Sequence, residues 1–131
     1  MTDIPTFMIV DDDADDREFF CEAINEINPL FKCLTACNGE DALIKLRGNT
    51  KLLPDFIFLD LNMERMDGRK CLAELKKDRH LKNIPVIILT TSTAQSDIEE
   101  TKLLGASYYL TKPSEYQKLS REIALVITRN L

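Results

Sequence analysis

The sequence predicts a doubly wound α/β domain, a parallel sheet of five strands flanked by five helices. Three observations lead to that reading. Five short apolar runs, at 6–10, 31–36, 54–59, 85–89 and 107–111, alternate with longer amphipathic stretches. The runs at 6–10, 54–59 and 85–89 are nearly continuous in Val, Ile, Leu, Phe and Met, which suits strands buried on both faces. Several of the runs stop at a side chain capable of chemistry.

The first run, Phe7-Met8-Ile9-Val10, stops at Asp11 and Asp12. Phe20, Ala23, Ile24 and Ile27 then recur at helical spacing. Asp13, Asp15 and Asp16 fall where a helix dipole favours negative charge. The run at 31–36 is broken by Lys32 and Thr35 and reads as an edge strand. Asn38 with Asp41 resembles a capping box before Leu43 and Leu46. The run Pro54-Asp55-Phe56-Ile57-Phe58-Leu59 stops at Asp60, and a loop from Leu61 to Gly68 precedes a helix carrying Leu72 and Leu75. Pro85-Val86-Ile87-Ile88-Leu89 leads to Thr90. Ser96 with Glu99 predicts the next helix start, and Ile98 with Thr101 or Lys102 its inner face. Tyr108 and Thr111 make 107–111 a second edge strand, ending at Lys112-Pro113. Ser114 with Gln117 predicts the last cap, and Leu119, Ile123, Val126 and Ile127 form the clearest helical stripe.

Strand–helix alternation implies right-handed βαβ crossovers in one domain over residues 1–131, with no linker and no output domain. The 131 residues suffice for a substantial core. A net charge of -5 argues against a sequence-independent nucleic-acid binder. No apolar stretch approaches a membrane span and no signal pattern opens the chain, so a cytoplasmic location is expected. Of the four cysteines, Cys33 and Cys37 form a C-x3-C pair without the second pair a zinc site needs. Cys21, Cys33, Cys37 and Cys71 are therefore expected to be reduced and mostly buried. His80 lies in a polar loop and reads as a solvated residue. Met63 and Met66 read as loop packing.

In a parallel α/β sheet all strand C-termini share one edge, where ligands bind. Asp11, Asp12, Asp60, Thr90 and Lys112 are expected to meet there despite their separation in sequence. Clustered carboxylates suit Mg²⁺, a hard ion with oxygen ligands. A carboxylate can also attack phosphorus to form an acyl phosphate. The Lys112 ammonium and a metal would neutralise phosphoryl charge, and the Thr90 hydroxyl would donate to a phosphoryl oxygen.

These residues resemble the receiver domains of two-component response regulators, including the small stand-alone chemotaxis type. The motifs are Ile9-Val10-Asp11-Asp12-Asp13, Phe58-Leu59-Asp60-Leu61-Asn62-Met63, Met66-Asp67-Gly68, Pro85-Val86-Ile87-Ile88-Leu89-Thr90, Gly105-Ala106 and Lys112-Pro113. The resemblance implies a flavodoxin-like sheet in the order 2-1-3-4-5. It implies that Asp60 accepts a phosphoryl group from a histidine kinase. Asp12 would be the main acidic Mg²⁺ ligand, with Asp11 assisting and Asn62 offering its backbone carbonyl. Thr90 and Tyr109 would be the switch pair, Lys112 would meet the phosphoryl group, and the Lys112–Pro113 bond would be cis. The closest likeness is to stand-alone regulators paired with phytochrome-type or hybrid kinases.

Two positions depart from the family pattern. Glu64 stands where proline is usual, which predicts a more mobile loop after Asp60. Thr91 is bulkier than the usual residue, which predicts narrower access to Asp60. Without an output domain, a phosphorylated chain would signal by docking a downstream protein, by onward phosphotransfer, or as a homodimer. The face of the fourth helix, fifth strand and fifth helix would serve, with Gln95, Glu99, Lys102, Tyr109 and Lys118 as its candidates. An aspartyl-phosphate phosphatase is disfavoured, since those enzymes usually carry D-x-D on the first strand and position 62 is Asn. An FMN module is disfavoured by the acids that follow the first run, so the chain reads as a signalling phosphoacceptor and not an enzyme.

Overall fold

The structure is a computed structural model that describes residues 4–49 and 52–130, so both outer bounds of the expected 1–131 domain lie outside the described residues. The elements in chain order are β1 (Thr6–Val10), α1 (Ala14–Ile27), β2 (Lys32–Ala36), α2 (Gly39–Gly48), β3 (Phe56–Leu59), α3 (Gly68–Lys77), β4 (Val86–Thr90), α4 (Gln95–Leu103), β5 (Tyr108–Thr111) and α5 (Tyr116–Asn130). All five strands are parallel, in the order β2-β1-β3-β4-β5. The two runs interrupted by polar residues are the two edges, as their composition predicts.

The period of two along each strand divides the core into two layers. Met8, Val10, Ile57, Leu59, Val86 and Ile88 face one side, where Leu43, Leu46, Leu72 and Leu75 of α2 and α3 cover them. Phe7, Ile9, Phe56, Phe58, Ile87 and Leu89 face the other, under Phe20, Ala23 and Ile24 of α1 and Ile123, Val126 and Ile127 of α5. Aromatic rings set the spacing of this second layer: Phe20 and Phe58 pack at 4.7 Å between centroids, and Phe7 and Phe56 stack at 5.4 Å. In α4 Thr101 is the buried residue, and Leu103 is 89 % exposed. That helix is the least anchored of the five.

Helix starts follow the sequence in part. Asn38 caps α2 by accepting from the Asp41 N–H at 2.8 Å, and the Asp41 carboxylate accepts from the Cys37 N–H at 3.0 Å. Asp13 caps α1 by accepting from the N–H groups of Asp15 and Asp16. Ser96 and Ser114 are not caps. The α4 helix begins a residue before Ser96, after Ala94, whose methyl side chain can make no capping bond, and the Ser92 hydroxyl donates to Asp97 from the preceding loop. The α5 helix begins at Tyr116, beyond Ser114, and the Leu119 N–H reaches the Glu115 carbonyl.

Two further expectations are corrected. No cis peptide bond is present among the described residues, so Lys112–Pro113 is trans, the lower-energy form. The lysine reaches its carboxylate partners without the cis bond. The cysteines are not all reduced: Cys21 in α1 and Cys33 in β2 are joined by a disulfide, with Cα atoms 5.7 Å apart. Packing of α1 against the edge strand brings them together, which a spacing of 12 residues in sequence does not reveal. Cys71 is buried and free, as expected, and Cys37 is free but exposed.

Gly68 opens α3 against the backbone that follows β3. A Cβ there would lie 2.2 Å from the Asp60 carbonyl oxygen and 2.6 Å from the Leu61 Cα. Gly48, at the end of α2, has open space around the same position. Gly68→Ala is therefore expected to lower stability by about 1–3 kcal/mol or more through overpacking. Gly48→Ala is expected to be neutral or stabilising by up to about 1 kcal/mol. Denaturant titration of both variants separates close backbone approach from glycine's general effect.

Candidate functional site

The sheet brings the predicted residues to one edge. Backbone hydrogen bonds fix the positions just past the strands: the Asp11 N–H reaches Ala36, the Asp60 N–H reaches Val10, and the Lys112 N–H reaches Thr90, at 3.1, 3.0 and 2.7 Å. Carboxylate oxygens of Asp11, Asp12 and Asp60 lie within 4.8 Å of one another. Asp11 and Asp60 are buried, and Asp12 is exposed at the mouth.

Lys112 organises this cluster. Its Nζ donates to Asp11 Oδ2 at 2.7 Å, Asp16 Oδ2 at 2.8 Å and Asp60 Oδ2 at 3.3 Å. Burial alone would depress the lysine pKa, but the hydrogen bonds and charges of its acidic partners outweigh it and hold the pKa above the ordinary value. Lys112 is therefore a permanent cation. Burial raises the Asp11 pKa, opposed by the Lys112 bond and by the Asp13 N–H at 2.9 Å. Three carboxylates share this ammonium and Asp12 lies beside them, so the cluster carries excess negative charge. The donor set, clustered carboxylate oxygens open to solvent through Asp12, fits a hard divalent cation.

Thr90 closes β4 and is fully buried. Its Oγ1 has no hydrogen-bond partner. A buried hydroxyl without a partner is uncommon and costs roughly 1–3 kcal/mol. Asn62 is exposed, and its N–H is 3.4 Å from Asp60 Oδ1. The Glu64 N–H donates to Asp12 Oδ2 at 3.3 Å, a bond that proline cannot make. The loop that Glu64 was expected to loosen thus has a tether to the acidic cluster. Thr91 is exposed beside the site. His80 is exposed, and Met63 and Met66 pack on the core, as expected.

Sequence reasoning missed three participants. Asp16 shares Lys112, although its position suggested only a role at the helix N-terminus. Arg17 donates to the Asp11 carbonyl at 2.7 Å. Arg69, at the start of α3, pairs with Asp67, Asp97 and Glu100, so it joins α3 to α4. Asp97 in turn accepts from the Ser92 hydroxyl at 2.5 Å, and the half-buried Tyr109 donates its hydroxyl to the Ser92 carbonyl at 2.9 Å. The expected switch aromatic is thus tied to the loop that follows Thr90. Nothing in the local spacing of Arg69, Ser92 and Asp97 announces this chain of bonds.

The family model for the response regulator receiver domain matches residues 7–124. The chain belongs to that family. The crystal structure of a phosphorylated cyanobacterial phytochrome response regulator, RcpA, superposes with a TM-score of 0.87 at 31% identity, covering 95% of this chain and 91% of that one. Response regulator Rcp1 of Synechocystis sp. is 41% identical over 70 residues, covering 53% of this chain and 48% of that protein. The structure of the Mn²⁺-bound form of Rcp1 gives a TM-score of 0.79 at 28% identity, over 93% of this chain and 91% of that one. A probable methanogenesis regulatory protein, FilR2 of Methanothrix harundinacea, is 35% identical over 89 residues, covering 66% of this chain and 57% of that protein. The matched stretch thus spans about half the length of these curated relatives.

The Arg69–Asp97–Ser92 chain has a pH signature. The hydrogen bond from Ser92, followed by that from Arg69, holds the Asp97 carboxyl below its ordinary value of 3.8. A folded-state value below the unfolded one stabilises fully above about pH 4 and is lost as pH falls through the folded value. Asp97→Asn is expected to be less stable than the parent near neutral pH, with the gap shrinking in acid. Denaturant titrations at stepped pH check this, and a gap that stays constant into acid contradicts it.

Proposed function

We propose that the chain accepts a phosphoryl group on Asp60 from a histidine kinase, in a Mg²⁺-dependent reaction, and reports it through a change of surface. The single observation that carries this reading is the partnerless Thr90 Oγ1, buried at the same sheet edge as Asp60 and Lys112. A donor left without an acceptor there suits a ligand that brings anionic oxygens. The phosphorylated state of RcpA and the Mn²⁺-bound state of Rcp1 support the same chemistry in similar proteins.

Asp60 supplies the attacking oxygen. Its bond to phosphorus forms as the bond from phosphorus to the donor imidazole nitrogen breaks, and that nitrogen keeps the electron pair. Lys112 holds Asp60 by the longest of its three bonds, so it can turn to a phosphoryl oxygen while Asp11 and Asp16 keep it in place. Asp11, Asp12 and Asp60, with the Asn62 carbonyl, would hold Mg²⁺. When bound, the ion neutralises charge on the acids and on the phosphoryl oxygens.

Thr90 and Tyr109 act as the switch pair. A Thr90 hydroxyl drawn to the phosphoryl group pulls on the loop that Tyr109 and Ser92 share. The fewest core contacts resist movement of α4, whose buried residue is Thr101. The readout face is α4, β5 and α5, including the exposed Gln95, Glu99, Lys102 and Lys118. A downstream protein, a phosphotransfer partner or a second copy would dock there. No described helix is long and apolar enough to cross a membrane, in keeping with action in the cytoplasm. The nucleophile follows the third strand and no D-x-D is present at Asp60, which favours a signalling phosphoacceptor over a phosphatase.

Acetyl phosphate with Mg²⁺ is expected to label Asp60, and Asp60→Asn is expected to abolish the label in intact-mass and peptide measurements. A label that survives in Asp60→Asn removes Asp60 from the nucleophile role. Mg²⁺ at about 100-fold its dissociation constant is expected to stabilise the unphosphorylated chain by about 2.7 kcal/mol, seen as a rise of several degrees in Tm. Asp12→Asn should reduce that rise. A melting curve indifferent to millimolar Mg²⁺ contradicts the metal site.

A further inference from the structure

The disulfide between Cys21 and Cys33 lies outside the phosphoacceptor site and plays no part in its chemistry. Cys21 is at the middle of α1, and Cys33 is in the edge strand β2. Both are half-buried, so solvent reaches them, and both lie at the margin of the core layer formed by Phe7, Phe20 and Phe56. Their Cα separation of 5.7 Å falls at the most frequent value for a bridged pair, so the fold itself presents the thiols for pairing.

The fold does not depend on this bridge. Two continuous layers of aliphatic and aromatic side chains already fill both sides of the sheet. A chain of this size buries enough apolar surface without a covalent staple. The other two cysteines are placed differently. Burial pushes the Cys71 thiol up to about 12, which makes it inert. Cys37 is exposed and has no cysteine in bonding position. The backbone has thus placed two of the four thiols within bridging reach, at a peripheral and accessible position.

We propose that Cys21 and Cys33 form a reversible dithiol–disulfide site, oxidised by a low-molecular-weight disulfide such as glutathione disulfide. One thiolate attacks a sulfur of the oxidant and expels a glutathione thiolate, giving a mixed disulfide. The second thiolate attacks the protein sulfur of that mixed disulfide and expels the second glutathione thiolate. Two electrons pass to the oxidant, which leaves as two glutathione thiols carrying the two protons. The product ties the middle of α1 to the sheet edge, on the helix whose first turn carries Asp16, a partner of Lys112. The site is independent of the phosphoacceptor reading, because neither thiol contacts Asp60 or its partners.

The test uses the full chain with Cys37→Ser, which removes the exposed thiol and with it intermolecular bridging. The protein is equilibrated in glutathione buffers of stepped redox ratio, quenched in acid, alkylated and mapped by mass spectrometry. Cys21 and Cys33 are expected to lose alkylation together along one two-electron curve, and to regain it with dithiothreitol. Cys71 should remain unlabelled until the chain is unfolded. The oxidised form is expected to melt roughly 5–15 °C above the reduced form, since the bridge closes a short loop of the unfolded chain. In Cys33→Ser, Cys21 should stay reactive, or carry glutathione, at every ratio, and the shift in Tm should vanish. Protection of Cys21 that persists in Cys33→Ser shows burial rather than a bond and overturns the proposal. So does independent titration of the two thiols, or glutathione retained on either one in the Cys37→Ser chain.

Discussion

The Lys112 ammonium among the acids at the sheet edge is the interaction on which the site depends. Asp11 and Asp60 emerge buried from adjacent central strands, where two unscreened carboxylates would repel strongly. Lys112 reaches both from β5, across β4, and takes Asp16 from the start of α1 as well. One long flexible side chain thus couples the ends of three strands and a helix. Its charge is permanent, yet it is outnumbered. The cluster is neutral enough to fold and negative enough to want a cation, and that residual charge prepares the site for chemistry.

The rest of the architecture serves this edge. The sheet is filled on both sides, by α2 and α3 on one face and α1 and α5 on the other. The chain between β3 and α3 is held by the contact of Gly68 with the Asp60 backbone. Against this rigid frame, α4 is held mainly by polar groups. Arg69 reaches it from α3, and Tyr109 and Ser92 approach from β5 and the preceding loop. Polar contacts of this kind rearrange at small cost compared with a packed aliphatic seam, so α4 is the helix this packing resists moving least.

Most of the fold is legible in the sequence because its main signals are local. Unbroken apolar runs mark buried strands, polar interruptions mark the two edges, and helical stripes mark the covering layers. The site residues are legible for a related reason: a parallel sheet converts the end of a run into a position in space, so Asp11, Asp60, Thr90 and Lys112 can be assembled without coordinates. What fails is whatever depends on tertiary proximity between side chains. The Cys21–Cys33 bond, the Arg69 hub and the use of Asp16 by Lys112 all join residues whose own neighbourhoods look ordinary. The expected caps at Ser96 and Ser114 fail because a serine three residues before a Glu or Gln is a weak signal, and the helices begin at Gln95 and Tyr116, one residue before Ser96 and two residues past Ser114. The cis form of Lys112–Pro113 came from family likeness alone, and the lysine meets its partners without it.

The loose attachment of α4 also bears on how such a module diversifies. Substitutions along α4 alter few buried contacts, and the exposed positions around Leu103 touch neither the acids nor Lys112. The sequence along α4 can therefore drift, or be redesigned, at low risk to folding, while the acidic edge around Lys112 stays under strict steric and electrostatic constraint. A tolerant helix and a constrained edge thus share one sheet, and change in the first need not disturb the second.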